Sequence, residues 1–300
     1  MTRSEVVGEG ANACVFRPQL PCDDDDGGVI RSKTSRSKTV GKIIKLNVLG
    51  IADNEANSAR LAASLEGVHA PAYLARCAVQ RSKAAACRGF LHGLIPLGFS
   101  GFTRSSDTVE QVVMENVEGG TLESMLMRPT PSWRLDASVF HDFVDVLRAV
   151  DALERAGYAH LDIHAGNIMV TPKGMRLIDY GWLRPVSTVW TSSSLLRAFY
   201  IALTHAPLPS PHNERSELAH RARASYETYQ NTGVVIKGRF GLMASEAAGV
   251  DALATGAILW RMLCMHPSYA NTTNLIVATG LTNPDASRRM TAGEAVALLS

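Results

Sequence analysis

A series of short stretches carries residue types that do chemistry, and their order says more than any one of them. Gly8-Glu9-Gly10-Ala11-Asn12-Ala13-Cys14-Val15 offers small residues that let a backbone turn and approach another group closely. Alone, such a glycine pair merely permits a turn. Lys42 stands inside the β-branched run Thr39-Val40-Gly41-Lys42-Ile43-Ile44, where a cation needs a counter-charge. Glu55 follows at the start of a helical stretch. His160-Leu161-Asp162-Ile163-His164-Ala165-Gly166-Asn167 concentrates imidazole, carboxylate and amide groups in one loop, and Asp179-Tyr180-Gly181 adds a further carboxylate. Groups of these types move protons and bind cations.

The elements that must position them can be read from periodicity. Val6-Val7 and Val15-Phe16 flank the glycines as the strands of a hairpin. Residues 21–38, with acids from Asp23 to Asp26 and a Ser/Lys/Arg tract, lack apolar periodicity and predict a mobile insert. The run from Thr39 predicts a strand, and Asp53 caps a helix that lasts through Leu65, with Gly67 at its end. Residues 70–110 predict two further strands. Val112-Val113-Met114 predicts another, which runs into Glu115-Asn116-Val117-Glu118-Gly119-Gly120, a stretch with the composition of a hinge. Helical spacing then dominates, from Leu122 to Met127 and again from about Ala137 to Ala156, where Gly157 ends it. A second hairpin turns at Thr171-Pro172-Lys173-Gly174, and Ala252 to Leu263 predicts a buried helix. The chain therefore reads as α+β, with a β-rich part over 1–114, a hinge over 115–120 and a mainly helical part over 121–300.

A chain of 300 residues and 32.3 kDa is long enough for two lobes. With 46% hydrophobic and 19% charged residues, it is neither disordered nor fibrous. A net charge of +2 gives no bulk attraction to nucleic acid. Cysteines at 14, 22, 77, 87 and 264 form no CxxC pair, and they are expected to be free thiols in a reducing compartment, with Cys14 a small apolar residue. No run is apolar enough for a signal peptide or a membrane span, so an intracellular, soluble protein without a membrane partner is expected.

In order and spacing these stretches resemble the protein kinase family, from Val7 to about Leu299, in the divergent and compressed style of kinases from large DNA viruses. The resemblance implies a bilobal fold with MgATP between a β-rich N-lobe and a helical C-lobe. Gly8 and Gly10 stand for the phosphate-covering glycines, with Ala13 in the third glycine's place, and Val15 matches the valine over the adenine. Val40-Gly41-Lys42-Ile43-Ile44 is similar to the VAIK strand, which makes Lys42 the ligand of the α- and β-phosphates and puts Gly41 where an alanine usually covers adenine. Lys45 competes for the role; Lys42 is preferred because strand alternation puts it on the same side as Val40. Glu55 is the implied ion-pair partner, with Glu66 as the alternative. Met114 falls at the gatekeeper position, Glu115 and Val117 offer backbone groups to adenine, and Met169 forms its floor. His160 to Asn167 fits H-x-D-x-x-x-x-N, so Asp162 orients the acceptor hydroxyl while Asn167 and Asp179, the latter in Asp179-Tyr180-Gly181, ligate Mg²⁺. The groups at 42, 162, 167 and 179 are expected to converge on one cleft.

The departures shape the functional expectation. Leu161 replaces an arginine that docks a phosphorylated activation loop, so activation of that kind is not expected. His164 stands where protein kinases often place a lysine, and H-x-D-x-H-x-x-N is also the pattern of aminoglycoside and choline phosphotransferases. Asp251-Ala-Leu-Ala-Thr-Gly256 resembles the DxWxxG helix start, and Asn283 to Thr291 resembles the closing DPxxRxT motif, both of the protein-kinase C-lobe. No APE motif can be placed, since Ala244-Ser245-Glu246 matches poorly, and Glu246 is the implied partner of Arg289 if it has one. The expectation is an ATP- and Mg²⁺-dependent protein kinase acting on Ser/Thr hydroxyls of a protein substrate. A small-molecule phosphotransferase is the alternative, and a nucleotide-binding pseudokinase is a third.

Overall fold

A computed structural model describes residues 4–9, 13–23, 38–44, 51–87, 107–127, 137–186, 249–283 and 287–300. The chain is α+β and divides into two compact units, one from Met1–Ser64 and Pro71–Val117, the other from Leu65–Ala70 and Glu118–Ser300. Among the described residues no helix is long and apolar enough to cross a membrane.

The first unit is built on a five-stranded antiparallel sheet in the order β1-β2-β3-β5-β4. Its strands are β1 (Glu5–Glu9), β2 (Ala13–Arg17), β3 (Thr39–Ile44), β4 (Tyr73–Gln80) and β5 (Thr108–Glu115). The helix α1 (Ile51–Ser64) packs on β4 and β5. It begins before Asp53, which lies in its first turn rather than at its cap, and Gly67 follows it at φ +80°. Buried Glu55, Ala56, Ser58, Ala59 and Ala62 recur at helical spacing, and these small side chains let α1 lie close to the sheet. Of the two strands expected over 70–110, β4 is seen, and residues 88–106 lie outside the described residues; β5 is the strand expected at Val112-Val113-Met114 and begins earlier, at Thr108.

Strand alternation gives the sheet two faces with different work. Register places Val15 opposite Lys42, Val40 opposite Met114 and Lys42 opposite Val112, all on the α1 face. Cys14, Phe16, Gly41, Ile43, Gln111, Cys77 and Val79 point to the other face. Gly41 is therefore on the opposite face from Lys42, and Val40 is the residue that shares the lysine's side, which corrects the position read for Gly41. A Cβ at Gly41 would meet the Gln111 side chain, so this strand tolerates only glycine beneath that glutamine.

What Gln111 supports is the strap from Pro18 to Asp23, which crosses this face from β2 to β4. The Leu20 N–H donates to Gln111 Oε1 at 2.9 Å, and Gln111 Nε2 donates back to the Leu20 carbonyl at 3.0 Å. Farther on, the Asp23 N–H donates to the Ala78 carbonyl, and Asp23 pairs with Lys83. The expected insert over 21–38 is thus held at its first residues rather than mobile there; residues 24–37 lie outside the described residues.

The cysteines overturn the free-thiol expectation. Cys14 is joined to Cys87 and Cys22 to Cys77, across sequence separations of 73 and 55. Sequence spacing carries no information about such long-range pairs; the strap and the β4 edge bring them together. Cys14 is not merely a small apolar residue, and Cys264 takes part in neither bridge.

The second unit holds two short ladders and its helices. The ladder β6-β8-β9 comprises β6 (Gly120–Thr121), β8 (Ile168–Thr171) and β9 (Gly174–Leu177), and β7 (Tyr158–Ala159) pairs with β10 (Arg184–Pro185). The helix α2 (Leu122–Leu126) is capped by Thr121, whose hydroxyl accepts the Ser124 N–H. Next come α3 (Ala137–Arg155), α4 (Val250–Met265), α5 (Thr272–Leu281) and α6 (Ala292–Leu299). Phe143, Val146, Leu147, Val150 and Leu153 form the buried stripe of α3, which packs on β9 and α6. Gly157 ends α3 at φ +78°. α4 is buried from Val250 to Leu263, as its apolar run predicts, and Leu253 is only 2% exposed.

Candidate active site

In the first unit, two charges meet on the α1 face. Lys42 Nζ lies 2.7 Å from Glu55 Oε1, and both residues are buried. An unpaired ammonium would be strongly disfavoured inside this sheet, so the carboxylate on α1 fixes the lysine's position. Glu66 lies exposed beyond the end of α1 and does not serve. Arg76 on β4 reaches Asp53 and Glu110 from the same face, and these hydrogen bonds outweigh partial burial to raise its pKa. Gly8, opposite Val15, begins the hairpin, whereas Gly10 and Lys45 lie outside the described residues. Met114 and Glu115 end β5. The Glu115 N–H is engaged by the Ala72 carbonyl, while Val117 makes no hydrogen bond among the described residues and keeps its backbone groups available.

The second unit gathers the loop residues. Asp162 follows β7 and is buried. Asn167 Nδ2 donates to the Asp162 carbonyl at 2.9 Å and lies 3.4 Å from Asp162 Oδ2. With its nitrogen so engaged, the Asn167 side chain is oriented, and its Oδ1 accepts no hydrogen bond among the described residues. Loop and hairpin are joined by the Ile178 N–H, which donates to the Asn167 carbonyl at 2.9 Å, so Asp179 follows one rung beyond the β8–β9 ladder. Asp179 takes φ +63°, and its Oδ1 accepts the Gly181 N–H. A non-glycine residue held there by surrounding bonds is a common mark of functional backbone.

His160 is fully buried and links the same pieces. Its Nδ1 accepts the Asp162 N–H at 3.3 Å, which leaves the proton on Nε2 to donate to the Ile178 carbonyl at 3.1 Å. Its ring lies 4.7 Å from the ring of Tyr180, whose hydroxyl donates to the Leu177 carbonyl. Burial drives the Tyr180 hydroxyl well above the usual phenol range. Tyr180 therefore packs the loop. His164 caps the short 3₁₀ turn Ala165–Asn167, where its Nδ1 accepts the Gly166 N–H at 3.1 Å. A Cβ at Gly166 would press on that ring, so the imidazole is folded back over its own loop. Met169, half-buried in β8, sits opposite Thr121.

Asp251 is the residue whose contacts sequence reasoning missed. Its carboxylate, at the start of α4, accepts the His160 and Leu161 N–H groups. Leu161 takes φ +65°, so the buried acid holds the loop in a conformation that a leucine resists. Desolvation raises the Asp251 pKa to about 6, while the two N–H bonds oppose the rise. The signal was an acid at the head of an apolar helix. Arg289 is held by the carbonyls of Asn283 and Gly249; Glu246 lies outside the described residues.

The Asp179 carboxylate and the Asn167 Oδ1 are oxygen donors of the kind that a hard divalent cation takes. A different cluster, Glu9, Cys14 and Cys87, brings its ligand atoms within 4.8 Å of one another, but its sulfurs are joined to each other.

No family model matches the chain. Over 90 residues it is 36% identical to the serine/threonine-protein kinase PknL of Mycobacterium tuberculosis, in two strains, and to its namesake in Mycobacterium bovis. The match covers 28% of this chain and 21% of the mycobacterial protein, so the chain spans about a fifth of the length of the curated relatives it matches. Part of the chain is thus similar to a protein kinase.

Proposed function

We propose that this chain is a protein kinase that transfers the γ-phosphoryl group of ATP to Ser/Thr hydroxyls. The observation that carries the reading is the engagement of Asn167: its nitrogen is bound to Asp162, which leaves its oxygen without a hydrogen bond among the described residues, beside a buried carboxylate. Asp162 would accept a hydrogen bond from the acceptor hydroxyl and align it for in-line attack. Lys42, braced by Glu55, would bind the α- and β-phosphates. Gly8 and Gly10 would let the hairpin approach them, Val15, Met114 and Met169 would contact the adenine, and Glu115 and Val117 would meet its edge. Asn167 and Asp179 would hold Mg²⁺. When bound, the metal neutralises charge on the phosphates. His160 keeps the Asp162 backbone and the strand before Asp179 in register, and Tyr180 and Gly181 support that turn. His164, bound to the Gly166 N–H, acts as a loop cap, so its presence does not favour a small-alcohol acceptor. Similarity to PknL over part of the chain supports the protein-kinase reading.

The test is incubation with radiolabelled MgATP, a basic protein, casein, an aminoglycoside and choline. Label is expected on protein, and Asp162→Ala should lose transfer while still binding ATP. Full turnover by that variant, or label on the small alcohols alone, would reject the proposal.

A further inference from the structure

The two disulfides are unlike in a way that neither fold nor proposed activity requires. Cys14 and Cys87 are each 0% exposed and lie in an apolar cluster with Phe16, Leu20, Ile43 and Val79. Cys22 and Cys77 are only half-buried, where the strap reaches the β4 edge. Exchange requires a thiolate to reach one of the bonded sulfurs, so an external dithiol meets the outer bridge first. That bridge anchors the strap, and Leu20 of the strap belongs to the cluster that covers the inner one.

The inner bridge also occupies a telling place. Cys14 directly precedes Val15, which stands opposite Lys42. Among the described residues β1 pairs only with β2, so there the hairpin depends on β2 for its anchorage. The Cys14–Cys87 bond ties β2 to the segment after β4, beyond the reach of ladder hydrogen bonds.

We propose that these four cysteines form a two-stage redox lock on the glycine hairpin, opened from outside by a dithiol reductant. In the first stage a reductant thiolate attacks the Cys22–Cys77 bond, forms a mixed disulfide and releases one cysteine. The reductant's second thiol then frees the other, so the reductant leaves as a disulfide and the protein gains two thiols. Loosening of the strap exposes Cys14–Cys87 to the same exchange. Once both bridges are open, the hairpin loses its covalent anchor and nucleotide binding weakens, because a hairpin that must be ordered on binding binds less tightly. The nucleotide consequence rests on the kinase reading; the order of opening does not.

The experiment treats the oxidised full chain with graded dithiothreitol, quenches with acid, alkylates and maps the cysteines by mass spectrometry. Hydrogen exchange of residues 5–9 and 13–17 and binding of a fluorescent ATP analogue are followed in parallel. Cys22 and Cys77 should become alkylated at least tenfold faster than Cys14 and Cys87. Hairpin exchange should rise and analogue affinity fall about tenfold only with the second stage. A Cys22→Ser/Cys77→Ser variant should open its inner bridge faster, whereas Cys14→Val/Cys87→Ala should show the weak-binding state without reductant. Simultaneous alkylation of all four, or a hairpin and affinity indifferent to the inner bridge, would overturn the proposal. If the oxidised protein binds no nucleotide, the kinase reading fails, and the alkylation order and hairpin exchange still decide the lock.

Discussion

Replacing Glu55 by leucine should unsettle the first unit more than replacing both members of its ion pair. Lys42 and Glu55 are each 8% exposed and meet at 2.7 Å. Removal of the carboxylate takes the ion pair at 2.7 Å from a buried ammonium, a loss of about 3–5 kcal/mol. At roughly 2–4 °C per kcal/mol, Tm should fall by ~6–20 °C. Lys42→Met alone removes the same ion pair from a buried carboxylate and should cost a similar amount. The double variant removes both desolvated charges and puts apolar atoms into an apolar face, so it should return to within about 2 kcal/mol of the parent or exceed it. Thermal and urea unfolding of the four proteins give the coupling directly. On the proposed kinase reading, phosphoryl transfer should be lost in every variant lacking Lys42, including the stable one, which would separate a chemical role of the lysine from its contribution to the fold. If Glu55→Leu leaves Tm unchanged, or the double variant loses the sum of the singles, the paired-burial reasoning is wrong.

Three further outcomes follow from other contacts. Gly41→Ala should displace Gln111 and orphan the N–H and carbonyl of Leu20, a loss of about 2–5 kcal/mol readable by urea unfolding; a neutral effect would refute the contact. Glu154, on α3, has its pKa raised to about 7 by burial and then by the charges of Asp251 and Asp151, against a hydrogen bond from the Ala292 backbone. Its folded value exceeds its unfolded one, so its contribution is complete below about pH 4.5 and is lost as pH rises towards 7, up to ~3 kcal/mol before solvent screening. Compared with Glu154→Gln, the parent should therefore gain stability between pH 7.5 and 5.5, and an identical pH profile for the two would contradict this. Loss of Cys14–Cys87 alone, closing a separation of 73 residues, should lower stability by about 4–5 kcal/mol in the chain-entropy model, as denaturation of Cys14→Val/Cys87→Ala will show.

Sequence made the periodic parts legible. Phe143, Val146, Leu147, Val150 and Leu153 announce α3 because each burial repeats a helical turn, and Gly157 is where that helix ends. The choice of Glu55 over Glu66 followed from its place near a helix start, and the pair at 2.7 Å reflects it. Gly41 lies one strand position from the residue that shares the face of Lys42, because alternation, which pairs Lys42 with Val40, puts immediate neighbours on opposite faces. The strap and its bridges were illegible for another reason. Cys22 meets Cys77 through a crossing, and Cys14 on β2 meets Cys87 beyond β4; no local pattern encodes either pairing, and the polar, aperiodic start of the insert carries no hint of the crossing. Likewise, Asp251 could be recognised as a buried acid, but its hold on the Leu161 backbone is a contact across ninety positions.

Gln111 supplies the strap with both an acceptor and a donor, as a peptide unit of a neighbouring strand would. Its amide is a counterfeit rung, and this narrows what evolution or a designer can write at that position. Glutamate would set oxygen against the Leu20 carbonyl, asparagine falls one carbon short, and methionine answers neither partner. Position 41 is bound to the same constraint from beneath. A saturation library over 41 and 111 should therefore return the parental Gly/Gln pair almost alone, a two-letter signature by which distant sequences carrying the same strap could be recognised.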